Sequence, residues 1–83
     1  MIEKIKDLLA ERNINELLLH FYSINFSPEV IELQGAVKDN SELFAEMRNH
    51  PDFKTRVVEG EGYYFYNLVV GPIHISLEDS DET

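Results

Sequence analysis

Between Arg56 and Leu77 the sequence reads RVVEGEGYYFYNLVVGPIHISL, apolar runs divided by two glycine-marked breaks. β-Branched and aromatic residues suit a pleated, half-buried surface, and glycine supplies the positive φ that tight turns require. Gly60-Glu61-Gly62 therefore predicts a hairpin between a strand entering at Arg56 and a second strand, Tyr63–Val70. Gly71-Pro72 predicts the next turn, since proline presets φ and has no N–H for a strand ladder. A third run alternates strictly, with Ile73, Ile75 and Leu77 against His74, Ser76 and Glu78, so one of its faces is packed and the other wet.

The middle run differs from its neighbours. Tyr63, Phe65 and Val69 point one way, and Tyr64, Tyr66, Leu68 and Val70 the other. Apolar residues on both sides predict a central strand, or one whose second face meets a helix or another chain.

The remainder of the chain supplies elements to pack on these strands. Ile2, Ile5, Leu8 and Leu9 make one apolar stripe at helical spacing, which predicts a helix over residues 1–13. Asn13 is expected to end it in the left-handed conformation. Residues 16–26 read as a strand with both faces partly covered; continuation of the helix competes, because ELLLHF is also helix-compatible. Ser27-Pro28-Glu29 predicts a turn. The alternation through Val30–Lys38 predicts a second strand, in which Gly35 on the inward side marks a bulge or a close neighbour. Ser41 as N-cap, with Leu43, Phe44 and Met47 behind it, predicts a second helix ending at Asn49-His50-Pro51. The expected fold is a two-layer α+β domain over residues 1–78. Its mostly antiparallel sheet of four to five strands carries two short helices on one face, in the order α-β-β-α-β-β-β. Residues 79–83 read as an acidic, disordered tail.

Charge and composition narrow the functions. At 83 residues the chain has room for one domain. The absence of cysteine removes disulfides, thiolate catalysis and sulfur-ligated metals. The first residues lack the apolar core of a signal peptide, and the apolar runs are too short to span a bilayer, so a cytoplasmic protein without membrane contact is expected. Sixteen acidic residues oppose seven basic ones, for a net charge of −9, and no base follows Arg56. Such a field repels nucleic acid and anionic lipid, and favours a basic protein partner.

The candidate chemistry is sparse. His20, His50 and His74 have no metal-ligand spacing, so no metal or other cofactor is expected. Nucleophile, phosphate-loop and dinucleotide motifs are absent from the sequence, so no catalytic residues are assigned and a non-catalytic role is expected. If both helices cover one face, the other presents an aromatic surface, assigned to Tyr22, Tyr64, Tyr66 and His74. Burial of that surface in a homodimer, or against another protein, would explain a strand that is apolar on both sides. The competing reading takes Glu59, Glu61, Glu78 and Asp79 as an acidic contact set that imitates nucleic acid and inhibits a basic, DNA- or RNA-handling enzyme.

Overall fold

The apolar alternation decides which strands meet. In the computed structural model, which describes residues 1–58 and 62–80, three helices and a five-stranded sheet follow one another as α1 (Ile2–Ala10), α2 (Ile14–Leu17), β1 (Phe21–Phe26), β2 (Ile31–Ala36), a 3-10 turn (Val37–Asp39), α3 (Ser41–Arg48), β3 (Lys54–Val58), β4 (Tyr63–Val70) and β5 (Ile73–Ser80). The sheet order is β1-β2-β5-β4-β3. Only the β2–β5 pair is parallel, so the sheet is mostly antiparallel and the α+β architecture is as the sequence predicts.

Register places the apolar series in rows across the sheet. Phe26, Ile31, Ile73 and Val70 form one row, and Ile24, Leu33, Ile75 and Leu68 the next. Phe21, Gly35, Leu77 and Tyr66 form a third. Against these rows pack Ile2, Ile5 and Leu8 of α1, Leu17 of α2, and Leu43 and Met47 of α3, which together with the sheet residues make a single core. None of the short helices is stable alone, and it is this burial that holds them. The Glu46 carboxylate ties α3 to the start of α1, 2.7 Å from the Met1 amine and accepting from the Ile2 N–H.

Three local departures from expectation have physical causes. First, residues 16–26 are not one strand. Asn13 caps a short second helix by accepting from the Glu16 N–H at 3.3 Å, and the strand begins only at Phe21. The left-handed residue is Arg12, with φ of 56°, rather than Asn13. The Arg12 N–H donates to the Leu9 carbonyl and the Asn13 N–H to the Leu8 carbonyl, the paired bonds of a Schellman end. Second, β2 stops at Ala36 rather than Lys38, because the chain turns there into the 3-10 segment and then α3, whose first helical residue is Ser41 behind the buried Asn40. Third, β5 runs past Leu77 to Ser80, so Asp79 and Ser80, expected in the tail, pair with Tyr64 and Tyr63 as Glu78 pairs with Phe65. Residues 81–83 lie outside the described residues.

Gly35 shows why the close neighbour expected there is real. A Cβ at this position would lie 2.9 Å from the His20 carbonyl oxygen and 3.1 Å from Phe21 Cδ1. The Asn40 Nδ2 group fills the same corner, donating to the His20 carbonyl at 2.7 Å and to the Ala36 carbonyl at 3.0 Å. The bulge lies opposite, in β1: Phe21 pairs with Gly35 and Ser23 with Gln34, which leaves Tyr22 as the extra residue.

Candidate functional site: the open face of the sheet

All three helices lie on one side, and among the described residues no side chain on the other side is buried. The open side is also arranged in rows. Asn25, Glu32, His74 and Val69 make one, and Ser23, Gln34, Ser76, Asn67 and Lys54 the next. Ala36, Glu78, Phe65 and Arg56 make the third. Tyr22, Val69 and Tyr63 are the most exposed apolar or aromatic groups on it, at 60%, 49% and 38% of their full exposure.

The face has a polar centre. Glu32, Gln34, Asn67, His74 and Ser76 line a shallow depression of about 300 Å³ over β2, β5 and β4. A second depression, about 290 Å³, lies between Asp52, Lys54, Asn67 and Val69. Amide, hydroxyl and imidazole groups in a row offer donors and acceptors to a partner's polar surface, with Phe65 and Val69 supplying apolar contact beside them. Among the described residues, no group of three or more His, Asp or Glu side chains is placed to hold a metal ion. His20 and His74 do not share a strand pair, because His20 precedes β1 and β2 lies between β1 and β5.

Tyr22 and Glu78 meet across an intervening strand. The bulge turns Tyr22 out of the β1 ladder, and the small Ala36, in register with Glu78, leaves space for its ring to cross β2. Partial burial raises the Tyr22 pKa above its ordinary value, and the nearby Glu78 carboxylate raises it further. Ionising Tyr22 would set two negative charges together.

The sequence-assigned aromatic set divides between the two faces. Tyr22 and His74 are on the open side. Tyr66 is on the packed side, its ring 4.7 Å from that of Phe44 in α3 and stacked at 5.8 Å on Phe53. Tyr64 has the same alternation as Tyr66 and is in register with Asp79, so neither tyrosine belongs to the open face. The decisive signal was Asn67. It interrupts the 63-65-67-69 series and marks that side as wet, whereas 64-66-68-70 is unbroken and therefore packed. The acidic set is not gathered either: Glu78 and Asp79 are successive strand residues on opposite faces, and Glu59 and Glu61 lie outside the described residues. Lys54, Arg56, Phe65 and Glu32, all on the open face, were not singled out from the sequence, because their side depends on which face of β4 is packed.

The fold and this face together define an open-faced, two-layer α+β domain, with helices on one side of the sheet and a mixed aromatic and polar surface on the other. No protein-family model, curated protein or solved structure matches the chain. No helix among the described residues is long and apolar enough to cross a membrane.

Proposed function

We propose that the chain is a small, non-catalytic protein–protein interaction module that self-associates through the open face of its sheet. The observation that carries this reading is the asymmetry of the sheet: one face is sealed by helices, while the other leaves Tyr22, Tyr63 and Val69 exposed around polar groups able to bond a partner. An interface combines aromatic contact with such a hydrogen-bonding surround. The alternative, an acidic imitation of nucleic acid directed at a basic enzyme, draws its support from the net charge of −9 alone.

Light scattering after size separation, over a concentration series, tests the proposal. Two copies per particle are expected, and Val69→Asp on the open face is expected to return the protein to one copy with its circular dichroism unchanged. A single copy at every concentration overturns self-association. A dimer that Val69→Asp leaves intact moves the interface to another surface.

A further inference from the structure

The open face carries opposite charges on its two halves. On the β2–β5 half are Glu32 and Glu78; on the β3 edge are Lys54 and Arg56, beside Asp52. Bases are scarce in this chain, and several are already engaged: Lys4 lies 3.5 Å from Glu16, Lys6 lies 3.3 Å from Glu3, and the Arg48 guanidinium stands 5.6 Å from the Phe44 ring centre. Among the described residues, Lys54 and Arg56 make no ion pair, and neither does Glu32. Glu78 lies near the Tyr22 phenol and, among the described residues, makes no ion pair.

A surface with separated charges of both signs can be its own complement. A two-fold axis along the strands, placed above the β4–β5 boundary, reverses the lateral strand order. It therefore lays β3 of one copy over β2 of the other. Arg56 then stands above the Ala36 position, where the Tyr22 ring crosses β2, one strand spacing of ~4.8 Å from the row position of Glu78. Facing sheets separate by ~10 Å, a gap that an arginine and a glutamate reaching towards each other can close. A two-fold axis across the strands would instead set β3 over β3 and base against base. From strand spacing and rise, the face amounts to roughly 500–600 Å² per copy. In this overlap β1 lies outside, so both copies together bury roughly 800–900 Å², the size of a weak, transient contact.

Resting on the self-association reading, we infer that the partner on this face is a second copy of the chain in that orientation, with Arg56 of each copy paired to Glu78 of its partner. The overall charge repels two copies at long range, so the local pairing fixes orientation.

Charge reversal separates this inference from the reading beneath it. Arg56→Glu and Glu78→Arg are each expected to weaken the dimer by about tenfold or more, because each sets like charges together, and the double variant is expected to recover most of the loss. Sedimentation velocity gives the dissociation constants, and thermal melts check that each variant is folded. Glu78→Gln provides a second route should Glu78→Arg unfold: it keeps the size and polarity of the side chain beside Tyr22, removes the charge, and is expected to weaken the dimer while leaving the melt unchanged. A dimer indifferent to both Arg56→Glu and Glu78→Gln overturns the pairing and leaves self-association standing. Single reversals that weaken the dimer without recovery in the double variant overturn the orientation. A wild-type chain that stays single overturns both.

Discussion

Replacing Gly35 with alanine tests the most crowded point in the fold. The added methyl would meet the His20 carbonyl oxygen at 2.9 Å, Asn40 Nδ2 at 3.0 Å and Phe21 Cδ1 at 3.1 Å. The first is backbone. The second is a buried amide already donating to two carbonyls. Relief comes either by moving β1 away from β2 beside the bulge or by displacing Asn40 from its bonds. Overpacking of a close-fitted site costs about 1–3 kcal/mol, and a buried polar group left unpaired costs about the same. Against this, alanine restricts the unfolded chain and returns about 0.4–1 kcal/mol. The net expectation is a loss of about 2 kcal/mol, which for a domain of this size lowers the melting temperature by about 8–16 °C. Calorimetry or a circular dichroism melt measures it. Gly71→Ala is the control: it has nothing within 4 Å of the new methyl, but φ is +57°, so its cost is backbone strain of about 1–2 kcal/mol. Gly35→Ala melting at or above the wild type would refute the packing argument.

Three other perturbations address separate parts of the structure. Arg12→Gly relieves the positive φ at the end of α1 and should stabilise the fold by up to about 1 kcal/mol; a lower denaturation midpoint would show that the arginine side chain contributes more than its backbone costs. Tyr66→Ala empties the space between Phe44 and Phe53 and should cost about 2–4 kcal/mol in chemical denaturation, while the dimer dissociation constant of the folded protein stays unchanged. The Met1 amine, which donates to the Glu46 carboxylate, holds its pKa below the usual 4.5, so the charged form stabilises the fold above that pH and the contribution fades as pH falls through the lowered value. The stability difference between wild type and Glu46→Gln should therefore shrink on acidification; a difference independent of pH would refute the ion pair.

Alternation made most of the sheet readable in advance. Ile31, Leu33 and Gly35 in one strand, and Ile73, Ile75 and Leu77 in another, announced their packed faces, because a one-residue slip would send every one of them to water. The parallel pairing of these two strands was not legible, since antiparallel neighbours could have buried the same residues. Short range failed where two signals overlapped: Asn13 serves equally to end a helix or to begin one, and the structure uses it to begin α2. The open face was half legible. Alternation puts His74 on it, whereas Tyr22 is there only because the β1 bulge breaks the alternation that groups it with Ile24 and Phe26, and the unbroken 64-66-68-70 series of β4 is a mark of burial beneath α3 rather than of exposure. Lys54 and Arg56 could gain meaning only once β3 was known to be an edge strand.

The position of β5 also governs how the molecule can form. Within the sheet, the β1–β2 hairpin and the β3–β4 hairpin are joined only by β5, which slides between them, parallel to one and antiparallel to the other. Until it arrives, β2 and β4 each expose an inner edge next to apolar side chains, a state inclined to pair with other chains. Its parallel partnership with β2 also joins residues 42 apart, about half the chain, and such distant closures are slow. Refolding yield should therefore fall as protein concentration rises, and backbone amides at the β2–β5 seam should exchange only through global unfolding. Neither hairpin is a smaller version of the fold; the sheet becomes one cooperative unit when β5 is inserted.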